Sequence, residues 1–136
     1  MQRVLKEMLL VLAGSLLVSF ASGAGKMEVY KATIDNSGVQ KVVMVGGDFY
    51  FKPNDIVVKK NVPVEITIRK EPGLASHSIV LHAPEAGMDF DVDLGTDAKT
   101  IRFTPTRAGK YTFYCDEGLI ETHRSKGMEG ILEVTE

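Results

Sequence analysis

An all-β fold, an antiparallel β-sandwich of the Greek-key kind, is the class this sequence predicts, and three observations carry the prediction. Val, Ile, Tyr, Phe and Thr gather in short runs, clusters of Gly, Pro, Asn and Asp separate those runs, and beyond residue 24 no stretch keeps a helical period. About seven or eight short strands at this spacing, with no helix to cover them, bury their apolar faces by packing sheet on sheet. No internal repeat or low-complexity segment interrupts the pattern.

Taken in order, residues 27–34 alternate as a strand, Asp35-Asn36-Ser37-Gly38 is a turn, and residues 39–45 form a second strand that ends at Gly46-Gly47. Residues 48–53 lead through Asn54-Asp55 into a strand over 56–59. Over residues 64–69, Val64, Ile66 and Ile68 alternate with Glu65, Thr67 and Arg69, which describes a strand with one wet face. Loops follow at 71–73 and 83–87, on either side of a strand over 77–82. Residues 99–104 form a further strand closed by Pro105 and Arg107-Ala108-Gly109, and strands over 111–115 and 130–134 finish the series.

The first two dozen residues read differently. Arg3 and Lys6 make a positive start, residues 8–20 are apolar, and Ser22-Gly23-Ala24 offers small residues for cleavage, so residues 1–24 are expected to be a secretory signal peptide. Cleavage after Ala24 is the preferred reading and after Ala21 the alternative; an uncleaved membrane anchor is the competing one. No cysteine stands near the cleavage site to take a lipid. The remaining domain, residues 25–136, is mildly acidic, since the full chain carries a formal charge of −2 and the leader holds Arg3, Lys6 and Glu7. Nothing basic or aromatic-basic points to nucleic acid, and a membrane enters only if the leader stays. The expected protein is an exported, periplasmic or otherwise extracytoplasmic monomer.

Export sharpens the meaning of Cys115, the single cysteine. A lone cysteine in an oxidising compartment is no half of an internal disulfide, so it calls for a metal, an intermolecular bridge or burial as an inert thiol. His123 follows it after seven intervening residues and Met128 after four more. Thiolate, imidazole and thioether in one loop are the soft donors that copper prefers, and a second histidine would complete a His2Cys site with a weak axial methionine.

Strand parity nominates that histidine. Tyr111, Phe113 and Cys115 share one face, and the two aromatics make it the inward one. His77, Ile79 and Leu81 share a face, with Ser78, Val80 and His82 opposite. If Ile79 and Leu81 face the core, His77 points inward at the strand end; Val80 would serve equally well inside, so parity favours His77 without settling it. Blander readings stand beside each donor: a buried inert thiol for Cys115, a satisfied strand-end histidine for His77, core filler for Met128. His82 is expected at the surface, Met88 in loop packing, and Asp89, Asp91 and Asp93 on a solvated face rather than in a calcium loop.

At these residues the chain resembles a cupredoxin, the small blue-copper fold. The matching stretches are Phe51-Lys52-Pro53, His77-Ser78-Ile79-Val80, Phe103-Thr104-Pro105, the Gly109-Lys110-Tyr111-Thr112-Phe113-Tyr114-Cys115 strand, and His123 with Met128. The resemblance implies one copper ion, with His77, Cys115 and His123 as equatorial ligands and Met128 as the axial one. It also implies electron transfer with redox protein partners met transiently, and His123 as the electron port.

One departure stands out, because the familiar loops between the cysteine and the second histidine are shorter than the seven residues found here. Lengthening a loop from about three to about eight residues costs only roughly 1 kcal/mol of closure entropy. Leu119 and Ile120 in the longer loop are expected to pack over the metal and restrict water, or Glu117 or Glu121 to supply a carboxylate ligand. The amides of Asp116 and Glu117 are the expected donors to the thiolate. Three histidines in total cannot furnish both an electron-entry copper and a multi-histidine catalytic centre, which disfavours an oxidase. The alternatives to an electron carrier are a copper-holding or delivery module and a mononuclear site with open coordination.

Overall fold

The computed structural model describes residues 28–136; the leader expected over residues 1–24 lies outside them. Ten strands follow one another: β1 (Val29–Lys31), β2 (Gln40–Gly47), β3 (Tyr50–Lys52), β4 (Asp55–Lys59), β5 (Val64–Lys70), β6 (Ser78–Ala83), β7 (Met88–Asp93), β8 (Lys99–Phe103), β9 (Gly109–Tyr114) and β10 (Glu129–Thr135). Among the described residues the only helical turns are two short 3-10 segments, Pro84–Ala86 and Arg124–Lys126. The strands form a six-stranded sheet in the order β1-β4-β10-β9-β6-β7 and a four-stranded sheet in the order β3-β2-β5-β8.

The all-β sandwich is as expected, but its sheets are mixed rather than wholly antiparallel. β1 and β10 both run parallel to β4, and β2 runs parallel to β5. The reason is a change of sheet between β3 and β4, which are separated only by Pro53 and Asn54, so that β5 pairs with β2 instead of with its predecessor. Alternation in a sequence fixes which side chains point inward and leaves the neighbour and its direction open. The strand expected over residues 27–34 shrinks to β1, all three of whose residues are exposed. Met88, expected in a loop, is instead the fully buried first residue of β7, whose Asp89, Asp91 and Asp93 are solvated as anticipated.

Between the sheets lies one core. β2 contributes Val42 and Met44, β5 Ile66 and Ile68, β4 Ile56 and Val58, β6 Ile79 and Leu81, β9 Phe113, and β10 Leu132 and Val134. Each such side chain, taken out of water, contributes roughly 1.5–3 kcal/mol before conformational entropy is charged against it. Gln40 is buried among them and satisfied: its amide nitrogen donates to the Lys59 and Val62 carbonyls, and its oxygen accepts from the Lys59 N–H.

Strand direction then decides where the metal-binding candidates meet. β9 pairs antiparallel with β10, bringing Tyr114 opposite Glu129, and antiparallel with β6, bringing Tyr114 opposite Val80. His77 stands one residue before β6, Cys115 one residue after β9, and Met128 one residue before β10. All three therefore fall at the same pole of the sandwich.

Candidate metal centre

Cys115 continues β9 by one rung, since its N–H donates to the Met128 carbonyl at 3.0 Å. That rung keeps the inward parity of Phe113, and Cys115 is fully buried. His77, also buried, has its carbonyl fixed by the Leu94 N–H at 2.8 Å. His123 is half-buried at the foot of the 3-10 turn Arg124–Lys126, where its carbonyl accepts from the Met128 N–H at 3.0 Å.

These three residues converge. His123 Nδ1 lies 3.2 Å from His77 Nδ1 and 3.6 Å from Cys115 Sγ, and all three donor atoms fall within 4.8 Å of one another. Nitrogens and a sulfur held by one ion at about 2.0 and 2.3 Å are themselves about 3 to 4 Å apart, and the 3.2 and 3.6 Å separations made by His123 fall in that range. A thiolate with two imidazoles is soft enough to favour copper. Met128 is fully buried beside them, and its Cε reaches Gly46, where an added Cβ would lie 3.4 Å from it and 3.0 Å from Leu94 Cδ1. A side chain at position 46 would therefore crowd the methionine.

The long loop reaches the site by a pinch. The His123 N–H donates to the Glu117 carbonyl at 2.7 Å, so residues 118–122 bulge out between two fixed points. Gly118 makes the bulge possible: its φ is 114°, and a Cβ there would sit 2.3 Å from the Glu121 carbonyl oxygen. Two expectations fail as a result. Leu119 and Ile120 do not pack over the donors but stand at the tip of the bulge, 105% and 99% exposed. Glu117 and Glu121 also stay out of the donor cluster, Glu121 pairing with Lys126 at 3.5 Å.

The sulfur is supported from a different direction than expected. It accepts from the Ser78 N–H at 3.3 Å, with the Ser78 hydroxyl 3.7 Å away. The Asp116 N–H, expected at the sulfur, donates instead to Ser78 Oγ at 3.1 Å, and that hydroxyl donates to Asp116 Oδ1 at 2.5 Å. Parity places Ser78 on the face opposite His77, yet it is fully buried, its hydroxyl held by Asp116. Its place next to His77 was the one signal in the sequence; that it stands across from Asp116 follows from the pairing of β6 with β9.

Burial holds the His77 imidazole below the usual histidine range; the Asp48 carboxylate pushes the other way, and the neighbouring His123 lowers it further. At neutral pH the ring is thus uncharged and free to donate a lone pair. His82, by contrast, is exposed and pairs with Asp89 at 2.8 Å, well away from the cluster.

A cupredoxin-like domain model matches residues 9–130. The chain belongs to the cupredoxin family. This cupredoxin is 32% identical over 100 residues to a plastocyanin from Dryopteris crassirhizoma, a match spanning 65% of this chain and 90% of the relative. It is also similar to the metal-binding domain of the Cu(I)-exporting P-type ATPase CopA from Streptococcus pneumoniae, solved with Cu(I). There the identity is 30%, the TM-score 0.61, and the match covers 82% of this chain and all of that one. Auracyanin from Roseiflexus castenholzii shares the fold at 18% identity, with a TM-score of 0.57 over 77% of this cupredoxin and 99% of that chain. Family and donor set agree, and copper is the cofactor of this cupredoxin.

Proposed function

We propose that this cupredoxin is an exported electron carrier whose single copper ion is held by His77, Cys115 and His123, with Met128 as the weak axial ligand. The observation that carries the reading is the burial pattern of the converging donors: Cys115 and His77 are closed off from water, and His123 alone is partly open. A carrier needs its ligands held fixed and water kept out, with one edge left for electrons.

Copper, when bound, supplies a one-electron couple. The chain's own residues do the rest. The Ser78 N–H offsets part of the negative charge on the sulfur, the strand ladders fix His77 and Cys115, and His123 offers its edge to a partner through a small transient interface. The sequence of residues 1–24, with its positive start, apolar run and small residues, supports export to the periplasm or an equivalent compartment, where redox protein partners would be met.

A second reading, copper holding or delivery, draws on the likeness to the CopA metal-binding domain. Exchange with an acceptor calls for an exposed site, and here only one donor residue reaches the surface. One experiment addresses both. Copper added to the metal-free protein should give an intense thiolate-to-copper visible band that vanishes in Cys115→Ser; a colourless protein sinks the proposal. Reversible voltammetry with slow loss of copper to a chelator then favours the carrier, and fast loss favours delivery.

A further inference from the structure

β2 and β3 are joined by a two-residue turn, Asp48-Phe49, because Gly47 pairs with Tyr50. Each of its residues faces one of the two histidines. Asp48 Oδ1 lies 3.4 Å from His77 Nε2, and the Phe49 ring meets the His123 ring edge to face with centroids 5.1 Å apart. Lys126, two residues before Met128, sets its Nζ 4.7 Å from the centre of the same phenyl ring.

The turn's backbone does not suit its sequence. Phe49 has φ 65°, at a turn position where glycine or asparagine sits without strain. A bulky side chain held there costs on the order of 1–3 kcal/mol and persists only where its surroundings fix it. Those surroundings are the His123 ring, the Lys126 ammonium and the core edge. The two nitrogens of His77 are likewise told apart, with Nδ1 toward His123 Nδ1 and Nε2 toward Asp48. A histidine that binds a metal through one nitrogen commonly donates its other N–H to a carboxylate, which sets the tautomer and makes the ring a stronger donor.

We infer that the Asp48-Phe49 turn is the outer support of the copper site, Asp48 orienting His77 with its proton on Nε2 and Phe49 bracing the His123 ring. Both are positioning residues, acting on copper only through the histidines. The inference rests on His77 and His123 being copper ligands. Asp48 is 78% exposed, so replacing it leaves the core untouched.

The test compares copper-loaded wild type, Asp48→Asn, Phe49→Gly and His77→Ala by visible absorption, voltammetry and chelator competition. Asp48→Asn should keep the band, since every ligand remains. It should also weaken Cu(II) binding relative to Cu(I) by about tenfold, read as a rise in reduction potential of about 59 mV. The rise should persist in 1 M salt, where screening acts over about 3 Å and a merely diffuse surface charge loses its influence. Phe49→Gly, which suits the turn but lacks the ring, should release copper about tenfold faster.

An unchanged potential in Asp48→Asn, or a rise that vanishes in high salt, overturns the role of Asp48; unchanged release in Phe49→Gly overturns that of Phe49. A His77→Ala protein with the wild-type band would instead remove the ligand assignment on which both stand.

Discussion

His77 and Cys115 sit one residue off the ends of β6 and β9, two neighbouring strands of the larger sheet, whereas His123 hangs from residues 116–127, a loop held by a few backbone hydrogen bonds. The first pair inherits its position from the ladders and from Phe113, Ile79 and Leu81 beneath. His123 depends on local pins: its N–H on the Glu117 carbonyl, and its own carbonyl receiving the Lys126 and Met128 N–H groups. The contrast separates two ways of holding a candidate metal donor. A strand-borne donor moves only if the core moves, and a loop-borne donor opens with its pins.

That contrast can be broken from either side. The largest effect is expected from Phe113→Ala, which empties the space under Cys115 and removes an edge-to-face contact with Phe51 at 5.3 Å. Truncating a buried phenylalanine costs about 3–5 kcal/mol, to be read as a lower denaturant midpoint of the whole protein. A loss below about 1 kcal/mol would mean that the strand half does not rest on this core.

Gly118→Val attacks the other side. Forcing a β-branched residue to φ 114° against the Glu121 carbonyl should cost about 1–3 kcal/mol, spent in opening the bulge. Faster copper release, with a smaller change in global midpoint than in Phe113→Ala, is the expected signature. Equal release rates in Gly118→Val and wild type would show that the pinch does not hold His123.

The smallest effect belongs to Leu119→Ser combined with Ile120→Ser. Both side chains are in water, so stability should stay within about 0.5 kcal/mol and the visible band should not shift. A clear change in the band would return these residues to the role of a cover over the donors.

The same division explains what could be read from the sequence. Period-2 alternation with Phe113 oriented Cys115, because inward parity is a property of the strand itself; for His77 it favoured the inward face without settling it, since Val80 and Ile79 are both apolar. The fold class followed from the same runs. The parallel pairing of β10 with β4 did not, since no residue in either strand encodes its neighbour. Nor did the pinch, because the Glu117 carbonyl that meets His123 is a backbone atom that every residue carries. Leu119 and Ile120 looked like a lid because they are apolar, but a bulge stretched over residues 118–122 leaves them nothing to pack on. Asp48 and Phe49 were silent for a related reason: a phenylalanine at positive φ contradicts its own turn preference, and only its neighbours account for it.

The central claim, that strand and loop halves deliver His77, Cys115 and His123 to one copper ion, is tested most directly by diffraction from copper-loaded crystals at the copper absorption edge. The account predicts one anomalous peak bounded by His77 Nδ1, Cys115 Sγ and His123 Nδ1, with Met128 on its flank. A peak coordinated by Glu117 or Glu121, or one lying away from Cys115, would contradict it.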